Sequence, residues 1–432
     1  MNLGGSKGSI SGTTPDNHDD ENNGAPKYTA LRKWEEGLPQ HNLSLPFPEG
    51  KTGRYVKFSN QMNAVGWNNV FSDVLMSAHL AYVSGRGYVF QDYFWAQQHY
   101  PWPTDESHEV VPRTPLPALV AGPVSGGPFE PDGGAPRSIS SAWFDVVCPP
   151  EERRLLNTRD VKPGIAYAPG DDTLVYWQAI LRDAPEGCIE IVPQDEGDWF
   201  PQVFDLGIWG STRLLSLWDS FAASPISRLL KASPIVGAAV ERNQHLFTPE
   251  QESQHTSREP FHRVLAIHIR RGDYEGHCGS LVSQNMGFYS WNQFPHLLDR
   301  LDQDDTPGRE ERARARCFAD RAHIVRKAAE VRRDYHGKEN VGTLDVVYIL
   351  TNEKGGWIDE LREDLRGDGW ARIVSTQDLV LDREQRDVGM AVDMEIGRKA
   401  EVFLGNGWSS FTANIVYERL IDKRDPLTIR FI

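Results

Sequence analysis

The chain has 432 residues, with 46 Lys and Arg against 61 Asp and Glu, a formal charge of −15 with His neutral; 39% of it is apolar and 25% charged. At about 150 residues per domain that length predicts two to three domains with ample core, and the composition is that of a globular protein, neither disordered nor fibrous. So acidic a chain repels phosphate backbones, which excludes non-specific nucleic-acid binding, and no run approaches the roughly 18 apolar residues that would cross a bilayer.

Residues 1–50 read as a disordered or extended segment. Positions 1–27 are rich in Gly, Ser, Asn and Asp and lack the charged-then-apolar pattern of a signal peptide. Asn42-Leu43-Ser44 is a glycosylation sequon, which leaves the compartment open. From Arg54 to Phe58 the residues alternate as in a short strand, Gly66-Trp67-Asn68-Asn69 makes a turn, and Val70–Val83 carries apolar residues at helical spacing. Gly85-Arg86-Gly87 ends that helix and Tyr88-Val89-Phe90 starts the next strand, which completes a βαβ unit. Residues 101–140 are dense in Pro and Gly and form a long loop, with Leu116, Leu119, Val120 and Phe129 favouring an ordered flap.

Helical spacing returns from Leu206 to Leu246, with Leu214, Leu215, Leu217, Trp218 and Phe221 on one face and Pro234 opening a second helix. Arg263–Ile269 is a buried-type strand that runs into Arg270-Arg271-Gly272-Asp273. Beyond it, helices are expected at Phe318–Val331, Ile358–Leu365, Glu384–Lys399 and Ser410–Leu420, and strands at Leu344–Leu350, Ala371–Val374 and Glu401–Leu404. This alternation predicts an α/β fold with parallel doubly wound sheets and ligands at the strands' carboxyl ends. The expected division is an N-terminal Rossmann-like unit at 51–230 and a C-terminal one at 231–432.

Four cysteines without a CxxC pair exclude a zinc ribbon or dithiol redox motif and leave room for one or two disulfides. No Walker loop, HExxH, GxSxG or GxGxxG is present, which removes the usual basis for NTPase, zincin and lipase readings. Three constellations remain. In the first, His268-Ile269-Arg270-Arg271-Gly272-Asp273, two guanidiniums grip a diphosphate, Asp273 orients one of them and His268 bonds a ribose or base; a surface salt-bridge cluster is the alternative. The second is Gly405-Asn406-Gly407-Trp408-Ser409-Ser410-Phe411-Thr412, where amides and hydroxyls at a helix start suit an anion or simply cap the helix. The third is Gly66, Asn68 and Asn69 at the first helix, as a cap or as sugar and pyrophosphate ligands. Asp393 is a candidate acceptor for guanine or a solvated helix residue, and Asp302-Gln303-Asp304 reads as a solvated loop rather than a metal pair.

Taken together, these three motifs resemble those of the GDP-fucose-dependent fucosyltransferases, a superfamily that includes protein O-fucosyltransferases and α-1,6- and α-1,2-fucosyltransferases. Gly66-Trp67-Asn68-Asn69 is similar to the family's early turn, His268 to Asp273 to its His-x-Arg-Arg-x-Asp motif, and Gly405-Asn406 with Ser409 to Thr412 to its third motif. The resemblance implies a GT-B architecture, two Rossmann-like domains facing a cleft, with GDP-fucose as donor, a protein or glycan acceptor, inversion, no metal and a secretory setting. It further implies that Arg270 holds the β-phosphate, His268 touches the nucleoside, Ser409, Ser410 and Phe411 line the phosphate and guanine pocket, and Asp393 reads the base. Glu275, with Asp73 as competitor, is the candidate catalytic base. A catalytically silent module on the same fold and a GT-B enzyme for another nucleotide sugar are the alternative readings.

Overall fold

The computed structural model describes residues 24–63, 65–103, 112–129, 135–193, 201–248, 260–301, 307–337 and 342–432. Positions 1–23, parts of the 101–140 loop and Asp302-Gln303-Asp304 lie outside the described residues. Thr29–Glu36 is helical, so this part of the first 50 residues is neither extended nor disordered.

The first sheet contains β1 (Tyr55–Phe58), β2 (Gly87–Phe90), β3 (Ile139–Ser140), β4 (Arg154–Asn157) and β5 (Cys188–Val192), in the order β3-β2-β1-β5-β4 and parallel throughout. Helices α1 (Trp67–Val83) and α2 (Gly170–Asp183) connect β1 to β2 and β4 to β5. The helix begins at Trp67, three residues before the expected Val70, so Trp67-Asn68-Asn69 is its first turn and Gly66 its N-cap. Arg86, fully buried after α1, instead caps the far end of α2 by donating to the carbonyls of Leu181, Ala184 and Glu186 at 2.8–3.0 Å.

Between the sheets, the helical spacing from Leu206 onward is realised as a broken series of short turns and helices, with α3 (Pro234–Arg242) as the longest. Gly210, Ser224-Pro225 and Ser233-Pro234 interrupt it. Each Ser caps a restart with its hydroxyl, and the following Pro takes the first helical position, where no N–H is needed.

The second sheet contains β6 (Val264–Ile269), β7 (Val346–Thr351), β8 (Arg372–Ser375), β9 (Val402–Gly405) and β10 (Ile429–Phe431). Its order is β8-β7-β6-β9-β10, all parallel. The chain therefore starts in the middle, winds outward to β8, and crosses back to β9. Its helices are α4 (Tyr274–Ser283), α5 (Arg309–Cys317), α6 (Arg321–His336), α7 (Gly356–Gly367), α8 (Gly389–Lys399) and α9 (Ser410–Ile421). Ile324, Ala328, Val331 and Tyr335 give α6 one buried stripe, and the Asp320 carboxylate caps it from the His323 amide at 2.7 Å.

Both faces of β6 are covered. Val264 and Ala266 enter a core that runs through both halves, whereas Leu265, Ile267 and Ile269 enter a second core with Ile324, Leu361 and Leu365. This explains the unbroken apolar run in the sequence. Cys148–Cys188 ties the first sheet to the 141–147 helix, and Cys278–Cys317 ties α4 to α5.

Candidate functional site

In a doubly wound sheet the loops at the carboxyl ends of the two strands flanking the reversal diverge and open a crevice. Here those strands are β6 and β9, followed by Arg270-Arg271-Gly272-Asp273 and Gly405-Asn406-Gly407-Trp408. Two of the three expected constellations thus meet at one place. His268 and Thr412 share a hydrogen bond of 2.8 Å, and the rings of His268 and Phe411 lie 4.6 Å apart. Burial, with a smaller contribution from Arg270, pushes the imidazole of His268 down to about 3, so it is a neutral hydrogen-bonding group.

Alternation along β6 sends His268 and Arg270 to one face and Ile269 and Arg271 to the other. The two arginines consequently diverge. Arg270 Nη1 donates to the Arg271 carbonyl and pairs with Asp273 Oδ1, both at 2.9 Å, and its Nε and Nη2 donors have no protein acceptor among the described residues. Burial alone would raise the Asp273 carboxyl, but the hydrogen bond and charge of Arg270, together with the charge of His99, hold it below its ordinary value. Arg271 instead lies 4.2 Å from the ring centres of both Phe318 and Trp357, pairs with Glu353 at 3.3 Å and donates to the Ala319 carbonyl at 3.1 Å. The paired grip on a diphosphate expected of Arg270 and Arg271 does not form; Arg271 holds the back of the sheet.

The loop is fixed from β7. Asn352 accepts from the Arg271 amide at 3.1 Å and donates to its carbonyl at 3.0 Å, while Gly272 sits at φ +67°, a conformation that side-chain-bearing residues rarely adopt. Across the crevice, the Asn406 amide donates to the Cys317 carbonyl at 2.7 Å, and its Oδ1 accepts from the Trp408 amide at 3.0 Å. Ser409 caps α9, its hydroxyl accepting from the Phe411 amide at 3.2 Å. A Cβ at Gly405 would lie 2.4 Å from Thr412 Cγ2, and one at Gly407 would lie 2.4 Å from Phe288, so this close turn demands both glycines. The outcome is a helix N-terminus beside a guanidinium with spare donors, an arrangement suited to a phosphate.

The third constellation faces the same helix. Asn414 on α9 donates to the Asn68 carbonyl at 3.0 Å and its Oδ1 at 3.1 Å, and Ser72 donates to Asn414 Oδ1 at 3.1 Å. The N-terminus of α1, beyond β1, therefore abuts the first turns of α9, beyond β9, and the carboxyl ends of the two sheets face each other. Gly66 is exposed beside this contact with open space around its Cα, and Asn69 is half-buried.

Three expected residues stand apart. Asp393 on α8 is 7% exposed, and its two oxygens accept from Tyr348 Oη and, at 2.9 Å, from Thr376 Oγ1. Burial pushes its carboxyl up to about 7. Solvated it is not, and neither oxygen is left without a protein donor. Glu275 is exposed on the first turn of α4, where no described neighbour orients it. Asp73, 1% exposed, accepts from the Met62 amide at 2.9 Å, so it braces the loop after β1 instead of meeting an acceptor. The supporting groups Asn352, Asn292 and Asn414 carry no sequence signal, because they act through contacts 81 to 346 residues away.

Two facing doubly wound sheets with the crevice between them define the GT-B class. No protein-family model and no curated protein matches the sequence. Among solved structures, POFUT1 in complex with GDP-fucose is similar over 88% of this chain and 98% of that chain, with a TM-score of 0.54 and 14% identity. POFUT1 without ligand gives 0.51 at 15% identity over 88% and 97%, and POFUT1 with GDP gives 0.51 at 14% identity over 88% and 98%. The chain shares the fold of these GDP-fucose-binding structures.

Proposed function

We propose that this protein transfers fucose from GDP-fucose to a hydroxyl of a protein Ser/Thr or a glycan, with inversion and without a metal cofactor. The observation that carries the reading is Arg270, held by Asp273 with its Nε and Nη2 donors uncommitted beside the N-terminus of α9, on the fold of POFUT1. On this reading the β-phosphate rests between Arg270 and the turn of Ser409 and Ser410, while neutral His268 and Phe411 flank the nucleoside. As the bond from fucose C1 to the β-phosphate oxygen breaks and the acceptor oxygen bonds to C1, negative charge grows on GDP, where fixed donors stabilise it more than reorganising water does. Gly66, Asn68 and Asn69 close the donor site from the other half. Arg271 and Asp393 support the walls, and the acceptor proton passes to solvent water, since no described neighbour orients Glu275, so leaving-group stabilisation carries the step.

Calorimetric titration with GDP, UDP and ADP in chelator tests this. Selective GDP binding followed by turnover of GDP-fucose is the expected result, and binding of no nucleotide would overturn it.

A further inference from the structure

Asn42-Leu43-Ser44 takes no part in the donor crevice, and it is the one Asn-x-Ser/Thr triplet of the sequence. All three residues are exposed. They form a turn in which Asn42 Oδ1 accepts from the Ser44 amide at 2.9 Å, the local bond that asparagine side chains make in turns. That bond uses the oxygen and leaves Nδ2 without a protein acceptor among the described residues. The backbone is fixed independently of Nδ2, since the Leu45 amide donates to the Asn42 carbonyl at 3.3 Å and the Lys51 amide to the Leu43 carbonyl at 3.0 Å. The flanks of the loop are held against the outer strand β3. Gln40, 1% exposed, donates to the carbonyls of Ser138 and Gly126 at 2.8 and 2.9 Å, and His41 Nε2 accepts from the Ser140 amide at 3.2 Å. Glu49 accepts from the amide and the guanidinium of Arg137 at 2.6–3.0 Å. The triplet thus projects from a rigid base, and a bulky group on Asn42 Nδ2 extends into solvent.

The cysteines point to a compartment in which such a group is attached. All four are paired, Cys148 with Cys188 and Cys278 with Cys317, their Cα atoms 5.6 and 6.0 Å apart. Disulfides persist in oxidising compartments and are rare where glutathione keeps thiols reduced. The lumen that oxidises secreted chains is also where Asn-x-Ser/Thr triplets are glycosylated. Two features with no chemistry in common therefore indicate one compartment. We propose that Asn42 carries an N-linked glycan, attached from a lipid-linked oligosaccharide diphosphate as the chain passes through the secretory pathway. In that transfer Asn42 Nδ2 bonds to the anomeric carbon of the oligosaccharide, the bond from that carbon to the diphosphate oxygen breaks, the lipid diphosphate departs and the amide gives up one proton. Here the chain is the acceptor of another enzyme's reaction, so the site goes beyond the fucosyl-transfer reading and stands whether or not GDP binds.

The test maps tryptic peptides of the protein purified from its own source, by mass spectrometry before and after peptide N-glycosidase in heavy-oxygen water. The peptide covering 34–51 should be missing at its bare mass. After the glycosidase it should return with Asn42 converted to Asp and carrying heavy oxygen. Alkylation before reduction should label none of the four cysteines. When the chain is expressed behind an export leader in a eukaryotic host, Asn42→Asp, which keeps the acceptor for the Ser44 amide, and Ser44→Ala should each be secreted without the glycan, and Ser44→Thr with it. A bare 34–51 peptide from the native protein, alkylation of all four cysteines, or a glycan that survives Ser44→Ala would overturn the proposal. The native peptide decides the question even where a variant fails to fold.

Discussion

Replacing Arg270 by Lys keeps the positive charge but removes the planar fork that reaches a phosphate while holding Asp273. We expect GDP-fucose turnover to lose about 2–4 kcal/mol of transition-state stabilisation with the melting temperature unchanged. Arg271→Ala should do the opposite. Its guanidinium lies between Phe318 and Trp357 and pairs with Glu353, so its loss should cost about 2 kcal/mol of stability, read by denaturant unfolding, with turnover preserved per folded molecule. Equal effects on turnover would show that both arginines touch the donor. The adjacent pair was visible in the sequence as a phosphate grip, and the strand's alternation already separates it. What the sequence hid was the clamp, since Phe318, in the turn after α5, and Trp357, on α7, lie far along the chain.

Helix α1 shows how an element carries a charge it would not choose. Its face toward β1 and β2 is buried, and with it Asp73, whose carboxyl burial pushes up to about 7 from an unfolded value near 3.9. The folded chain then holds the proton more tightly than the unfolded one, so this group lowers stability progressively as pH rises from about 4 to 7. Asp73→Asn retains an oxygen for the Met62 amide and removes the ionisation. Its melting temperature relative to wild type should climb between pH 5 and pH 8, and a difference that does not change with pH would show that Asp73 is not the source. His268 on β6 has the opposite sign: with its imidazole at about 3, the stability it contributes is present above about 6.5 and fades as pH falls. Strongly patterned elements such as β6, β7 and α9 were legible within two residues. The expected 384–399 helix is two, Arg383–Asp387 and α8, broken at Val388. The strands β4, β5 and β10 were not read: β4 is exposed at two of its four residues, β10 is a buried run of only three, and β5 alternates over only five.

At the scale of the molecule, the two halves are joined by more than the α1–α9 contact. The Asp387 carboxylate accepts from Tyr28 Oη at 2.7 Å, Trp102 Nε1 at 2.8 Å and Thr114 Oγ1 at 2.7 Å, and Thr114 in turn accepts from Trp95 Nε1 at 2.8 Å. One buried side chain of the C-terminal half thus gathers the N-terminal segment and two points of the Pro-rich loop, Trp102 and Thr114. Nothing local in the sequence marks Asp387, because its three donors lie 273 to 359 residues away. This latch positions Gln97–His99, whose His99 charge reaches Asp273. Asp387→Ala leaves three buried donors without an acceptor, which should cost about 3 kcal/mol or more in all. Amide hydrogen exchange should accelerate at 28–36 and 93–103, while the β6–β9 ladder stays protected and GDP affinity holds, because Arg270 and α9 are anchored independently by Asn352 and Asn406. Acceleration spread evenly over both sheets would show instead that Asp387 supports the core. If the protein transfers fucose as proposed, a loop freed in this way should weaken transfer to an acceptor more than hydrolysis of the donor, since it borders the half of the crevice opposite Arg270 and α9.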